Sequence, residues 1–334
     1  MRFVIYGAGA VGGVLGGHLA LEQHDVLLIC RREHADAVHD QNGLRMKSAT
    51  GDYFAPLQAA VSLDKKDIHG DTAILFTAKS YHTEANTESL AQIAPSDTPV
   101  VSFQNGIANE EIIAARFNNV FGAVCRMTCS FLQPGHVSFR KSGRLILGKH
   151  PKGADPFARK LGKILTGAGF EVSVSASIMC DKWLKLVANL QSAFHATIDN
   201  RDHESLEFMN LKVGILEEAR EVLRADKIKA RSCDGRDFSV DEIIQELRKP
   251  RAGKAVSSVR VNNSTWQNLY LKREHVENRF FHEPIIELGR KYGIATPYNQ
   301  TVLELVTRCG EDKLGPNTLR ARDILEQVKS RSAD

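Results

Sequence analysis

The 334-residue sequence lacks most of the features that announce a special environment. It holds 6 cysteines and no C-x-x-C pair. Cys125 and Cys129 stand four apart, but no histidine or second cysteine pair is near enough in sequence to complete a zinc site. The thiols (Cys30, Cys125, Cys129, Cys180, Cys233 and Cys309) are therefore expected to be reduced, mostly buried and without a metal. No stretch of about 18 apolar residues occurs, which argues against a membrane-spanning helix. The opening run Met1–Tyr6 passes straight into Gly7-Ala8-Gly9. It is too short for a signal peptide and has no cleavage region, so the expected location is cytoplasmic. Neither charge dominates: 44 Lys+Arg stand against 40 Asp+Glu, a formal net charge of +4. That is too mild to predict a nucleic-acid partner, which usually shows a concentrated basic stripe. There is no internal repeat and no low-complexity tract.

What is present is ordinary globular usage, with 43% hydrophobic and 25% charged residues. At roughly 150 residues per domain, the length corresponds to about two domains. The pattern divides accordingly, into residues 1–175 and 176–334. In the first part strands and helices alternate. Phe3–Tyr6, Val26–Ile29, Thr72–Phe76 and Pro99–Phe103 read as strands buried on both faces. Helices are expected from about Val11 to Glu22, Thr83 to Ile93 and Pro156 to Gly167. That alternation implies a largely parallel sheet with crossover helices. Val137–Arg140 and Leu145–Gly148 flank Lys141-Ser142-Gly143, which reads as an antiparallel hairpin. Phe170–Val174 is the last strand. Beyond it only helices are expected: 181–197, 205–224, 240–248, 276–292, 300–308 and 317–329. Lys249–Asn263 is polar and basic, and reads as a loop.

Gly7-Ala8-Gly9-Ala10-Val11-Gly12 fits G-x-G-x-x-G directly between an expected strand and an expected helix. Gly7 would make the tight turn, Gly9 would let the backbone approach a pyrophosphate, and Gly12 would let helix and strand pack closely. The second strand then ends in Cys30-Arg31-Arg32 rather than in the carboxylate that binds an unmodified ribose. A guanidinium can hold a 2′-phosphate that a carboxylate would repel, so NADP(H) is expected, with Arg31 as the main contact and Arg32 as a helper. Glu33 either points away or pairs with one of the arginines. Two further clusters, Thr77-Ala78-Lys79 and Gln104-Asn105-Gly106, sit at ends of parallel strands, where ligands bind in such sheets. Lys185 and Asn189 are four apart and share a helix face. Lys182, three before Lys185, either shares that face or, as its place before Trp183 favours, faces solvent.

Together these residues resemble the ketopantoate reductase family. The likeness runs from Gly7 to about Val306. It is carried by the Gly7–Gly13 fingerprint, Arg31, Lys79, Asn105-Gly106, Trp183-x-Lys185-Leu186-x-x-Asn189, Ser264-x-x-Gln267 and Gly293-Ile294-x-x-Pro297. The resemblance implies an N-terminal Rossmann-type domain and an all-α C-terminal domain of the 6-phosphogluconate dehydrogenase C-terminal type. It implies NADPH-dependent reduction of 2-dehydropantoate, a small anionic 2-keto acid, to pantoate, a step toward pantothenate and coenzyme A. By the same resemblance Lys185 is the general acid, and Lys79 and Asn105 contact cofactor and substrate. Asn189 and Ser264 bind substrate. Glu277 contacts the cofactor and helps order the catalytic site, a placement that needs a one-residue insertion after Gln267. Hydride transfer to a ketone builds negative charge on its oxygen, and a lysine ammonium both stabilises and protonates it.

Some positions depart from the family pattern. Ala193 stands where a second asparagine is usual, and Val276-Glu277-Asn278-Arg279 replaces Thr-Glu-Ile-Asp. His282-Glu283 replaces Asn-Gly, and His203 falls near another missing asparagine. The two histidines mark either a different keto acid or neutral surface drift. Two alternatives accompany the first reading: a reductase of another 2-keto or imino acid on the same fold, and an NADP(H)-binding sensor without turnover. Retention of Lys185 argues against the sensor. A homodimer is the expected assembly. Lys249–Asn263, directly before Ser264, is a candidate lid.

Overall fold

The structure, a computed structural model, describes residues 1–140, 143–249, 263–273 and 277–333. The expected hairpin loop at 141–142, most of the candidate lid (250–262) and Val276 lie outside them. The chain divides into two compact units, Met1–Lys182 and Trp183–Asp334.

The first unit opens with β1 (Arg2–Tyr6), α1 (Ala10–Leu21), β2 (Asp25–Ile29) and α2 (Arg32–Asp40). Three short strands follow, β3 (Leu44–Lys47), β4 (Asp52–Ala55) and β5 (Gln58–Ala60). Then come β6 (Thr72–Phe76), α3 (Thr83–Ala91), β7 (Val100–Ser102), α4 (Asn109–Ala114) and β8 (Val120–Arg126). The unit ends with β9 (Cys129–Gln133), β10 (His136–Phe139), β11 (Arg144–Lys149), α5 (Pro156–Gly167), β12 (Glu171–Val174) and the first turn of α6 (Ile178–Leu190). The main sheet has eight strands in the order β12-β11-β8-β7-β6-β1-β2-β5. Every neighbour pair is parallel except β8 with β11.

Alternate residues of β1 enter opposite cores, which is why its sequence is continuously apolar. Phe3 and Ile5 join Val14, Leu15 and Leu19 of α1 and Leu161 and Leu165 of α5. Val4 joins Leu90 of α3 and Ile113 of α4 on the other face. A second, four-stranded sheet, β4-β3-β10-β9, went unread in the sequence. Helix α1 packs against both sheets through glycines in pairs. A Cβ on Gly16 would stand 2.7 Å from Leu28 of the main sheet, and one on Gly17 would stand 2.2 Å from the Met46 sulfur of the second.

The expected hairpin is not formed. β10 pairs antiparallel with β9 and parallel with β3, whereas β11 pairs with β8 and β12 in the other sheet. The burial patterns explain the split. β10 alternates half-buried and buried residues, so one face packs, while the apolar run of β11 is buried throughout its middle. The tight turn joins β9 to β10 instead, at Gly135 with φ +74°.

The second unit contains the rest of α6, then α7 (Ser192–Thr197), α8 (Leu206–Ala225), α9 (Val240–Arg248), α10 (Ser264–Tyr270), α11 (Arg279–Tyr292), α12 (Pro297–Glu311) and α13 (Ala321–Ala333). Among the described residues its one strand-like feature is a bridge between Ile198 and Leu319. Helix 181–197 of the sequence reading is two helices meeting at Gln191, and α10 was missed. Asn263 caps α10 by accepting from the Trp266 N–H at 2.8 Å. None of the six cysteines is in a disulfide, and only Cys309 is buried. Cys233 is exposed and the other four are half-buried, so the expectation of mostly buried thiols was too strong. Among the described residues no helix is long and apolar enough to cross a membrane.

Candidate active site

The first unit gathers its candidate residues at the C-terminal ends of four adjacent strands, β2, β1, β6 and β7. The chain leaves β1 toward β2 on one side and returns at β6 on the other. That reversal is where open α/β sheets bind ligands. Gly7, with φ +95°, passes so close to the next loop that a Cβ would stand 2.5 Å from Ala78 Cα. Its N–H and that of Ala8 both donate to the Ile29 carbonyl, tying the turn to the end of β2. A Cβ on Gly12 would meet Thr77 Oγ1 at 2.4 Å. At Gly9, the N-cap of α1, a Cβ would meet nothing within 4 Å, and no side chain caps the helix. Two glycines therefore serve close packing and the middle one faces open space, at a helix N-terminus suited to phosphate. This arrangement fits a dinucleotide pyrophosphate over Gly7, Ala8, Gly9, Ala10, Val11 and Gly12.

Arg31 is exposed and forms the N-cap of α2, directly followed by exposed Arg32 and Glu33. Lys79 and Asn105 are half-buried. Their loops are bound together from beneath. Ser80 Oγ donates to the Asn105 carbonyl at 3.1 Å, and Asn109 Nδ2 donates to the same oxygen at 2.8 Å. Gln104 Nε2 donates to the Ala78 carbonyl at 2.9 Å and to Thr83 Oγ1 at 2.8 Å. Ser80, Thr83 and Asn109 carry no motif, so sequence reading passed over them.

In the second unit, Lys185 and Asn189 are half-buried with Ala188 between them, whereas Leu184, Leu186, Val187 and Leu190 are buried. The helix thus keeps one polar face partly open beside its core face. Ser264 is exposed at the start of α10, and Glu277 is buried just before α11. Their neighbours are joined: Thr265 Oγ1 donates to Asn278 Oδ1 at 3.0 Å. Asn263 Nδ2 donates to the Ser192 carbonyl at 2.8 Å, which links this pair to the turn after Asn189.

Two models of the ketopantoate reductase family match the chain in succession. The one described as "Ketopantoate reductase PanE/ApbA" matches residues 3–152, and its C-terminal counterpart matches residues 177–309. The chain belongs to the ketopantoate reductase family.

Relatives of that name are similar over nearly the whole length. The 2-dehydropantoate 2-reductase of Pyrococcus horikoshii is 28% identical over 317 residues, covering 92% of this chain and 96% of the relative. That of Archaeoglobus fulgidus is 28% identical over 308 residues, with 91% and 96% covered. A crystal structure of a PanE/ApbA family ketopantoate reductase from Ralstonia eutropha is similar at a TM-score of 0.78 and 25% identity, over 94% of this chain and 99% of that one. D-mandelate dehydrogenase with NADH and anilino(oxo)acetate shares the fold at a TM-score of 0.77 and 22% identity, over 94% and 100%. Ketopantoate reductases are dinucleotide-dependent oxidoreductases acting on CH–OH.

Several residues stand elsewhere than the sequence reading put them. Lys182 does not face solvent: it is 3% exposed and paired with Glu110. His282 is not surface drift. It is wholly buried, and Asn299 Oδ1 lies 3.0 Å from its Nδ1. Asn299 uses its Nδ2 on Glu218 Oε2, so its oxygen is the acceptor and His282 Nδ1 carries the proton. Burial pushes the His282 pKa down to about 4, against a smaller opposite effect of the Asn299 bond. Burial likewise pushes the Glu218 carboxyl up to about 7, against its hydrogen bonds from Asn299 and Tyr298. His203 is half-buried against Phe208, with its Nε2 3.1 Å from the Ile198 carbonyl. Ala193 is wholly buried. Burial holds the Cys129 thiol up at about 12, which disfavours the thiolate a metal would need.

Proposed function

We propose that this chain reduces 2-dehydropantoate to pantoate with NADPH, toward pantothenate and coenzyme A. The observation that carries the reading is the retained pair Lys185 and Asn189, half-buried on one face of α6, in a chain matched by both family models. In this reading residues 1–175 are the NADP-binding domain and residues 176–334 the substrate and dimerisation domain.

The bound nicotinamide supplies a hydride to the keto carbon. Lys185 then holds its ammonium proton at the carbonyl oxygen and donates it as charge develops there. Asn105, Asn189 and Ser264 orient the substrate through its carboxylate and hydroxyls. Lys79 contacts both ligands, and Glu277 contacts the cofactor and orders the site.

The choice of NADPH rests on Arg31 and Arg32 at the start of α2. Cations are unfavourable at a helix N-terminus, and arginine is a poor N-cap. A 2′-phosphate beside them would offset both penalties and gain charge-assisted hydrogen bonds.

The test is oxidation of NADPH and NADH, followed at 340 nm, against ketopantoate and a panel of other 2-keto and imino acids. Turnover with NADPH and ketopantoate above the rest supports the reading. Buried Ala193, which removes an amide, favours the second reading, a different keto or imino acid on the same machinery. Turnover confined to such an acid would establish it. NADPH binding without any turnover would return the chain to the sensor alternative.

A further inference from the structure

Beneath the Gln104–Asn105 loop lies a charged pair that the proposed reaction does not use. Lys182 and Glu110 both belong to the first unit and are 3% and 0% exposed. Lys182 Nζ pairs with Glu110 Oε1 and donates to the backbone carbonyl of Gln104 at 3.2 Å. Among the described residues Glu110 Oε2 has no hydrogen-bond partner. The pair lies against Gly122 of β8, where a Cβ would stand 3.1 Å from Ile178 Cγ1, 3.3 Å from Lys182 Cδ and 3.5 Å from Glu110 Oε1.

Stability alone does not account for these charges. Apolar residues of similar volume commonly replace a buried ion pair with no loss, whereas removing one partner strands the other. An apolar residue cannot, however, hold a backbone carbonyl. Lys182 draws the Gln104 carbonyl inward, and Asn109 and Ser80 hold the next one, at Asn105. In a trans planar peptide the N–H points opposite to the carbonyl. The N–H groups of Asn105 and Gly106 are therefore turned away from the anchors, and the loop is fixed in one orientation.

We propose that Lys182, neutralised by Glu110, is a positioning residue. It fixes the Gln104 peptide so that Asn105 is presented in one geometry at the C-terminal edge of the sheet. This deepens, and rests on, the reading of the Asn105 loop as part of the dinucleotide site. A preorganised loop avoids an ordering cost on binding, so loosening it weakens affinity without removing any group that touches the ligand.

The experiment compares the full-length wild type with Lys182→Met, Lys182→Met/Glu110→Leu and Gly122→Ala. Melting temperature, hydrogen exchange of the peptide spanning residues 104–109, and NADPH affinity by fluorescence titration are measured for each. Lys182→Met is expected to lower the melting temperature by stranding the Glu110 charge. The double variant should recover most of that loss. It should still exchange at least tenfold faster across 104–109 and bind NADPH at least tenfold more weakly. Gly122→Ala keeps both charges but presses a methyl group against the Lys182 stem and Ile178. It should move exchange and affinity the same way by about threefold, and it serves if the double variant does not fold. Recovery of wild-type exchange and affinity along with stability in the double variant would overturn the proposal, as would unchanged exchange in a folded Gly122→Ala. Should the wild type bind no dinucleotide, the functional reading fails by itself. The exchange measurement then decides the anchor independently.

Discussion

At the scale of single residues, Lys185 and Arg31 divide the proposed chemistry between them. A positioned general acid typically contributes about 10²- to 10⁴-fold to rate. Lys185→Ala should therefore lower kcat by about that factor while NADPH affinity, read by fluorescence titration, stays within about threefold. Unchanged kcat would remove Lys185 as the proton donor. Arg31 is exposed and caps nothing with its side chain, so truncating it should cost the fold little. A lost charge-assisted contact is worth about 1.5–3 kcal/mol, or about ten- to a hundredfold in affinity. Arg31→Ala should weaken NADPH by that amount and leave NADH unchanged; an equal loss for both cofactors would sink the 2′-phosphate assignment. These two residues stand out as candidates because their types are unusual for their places: an arginine where a carboxylate is common, and a lysine in a W-x-K-x-x-x-N run. Lys182 was misread for the opposite reason. Nothing local distinguishes it from a solvated helix lysine, and its partner Glu110 is seventy-two positions away.

Elements were legible where one pattern sufficed. The strand–turn–helix at Gly7 is stated by apolar run, glycine spacing and helix start together, and all three agree in the structure. The hairpin failed because alternation around residues 137–148 fixes strands but not partners, and the partners of β10 include β3, some ninety residues earlier. The same limit hid the link among α8, α11 and α12, where His282, Asn299 and Glu218 meet. That link carries a pH dependence. His282 has a pKa of about 4 when folded, against 6.5 unperturbed. Between those values the unfolded chain binds the extra proton, so the group favours the folded state above pH 6.5 and loses that contribution as pH falls toward 4. Glu218 runs the other way. Its carboxyl, raised from 4.5 to about 7, contributes fully below pH 4.5 and loses its contribution as pH rises through 7. Comparing wild type with His282→Asn removes the His282 part, while Glu218, which shares Asn299 with it, contributes to both curves. In urea unfolding, the wild type should lose stability relative to the variant as pH falls from about 6.5 to 4, by up to about 1.4 kcal/mol per pH unit. A difference that stays constant over that range would mean that His282 does not titrate as its burial requires.

On the scale of the whole molecule, the class of fold was readable and the assembly was not. Alternating strands and helices followed by helices alone were sufficient for a parallel α/β unit and an all-helical one. The second sheet was missed because its strands are short and one-sided, and because it rests on α1 at Gly17, a glycine outside the fingerprint to which the sequence assigns no partner. What a single chain presents to a partner leaves a weaker trace, but the surface carries one. Leu206, Phe238 and Tyr270, all in the helical unit, are 73%, 63% and 60% exposed, whereas no large apolar residue of the first unit exceeds 44% among those described. Each of these side chains gains roughly 1.5–3 kcal/mol on full burial, so together they can contribute to self-association. On that asymmetry we propose a homodimer joined through the helical unit. Sedimentation equilibrium should return twice the 37.0 kDa chain mass for the wild type. Leu206→Glu, Phe238→Glu and Tyr270→Glu, made singly, should raise the dimer dissociation constant in at least one case while leaving NADPH affinity intact. A wild type that sediments as one chain at micromolar concentration would remove the dimer, and three variants without effect would move the interface off these residues.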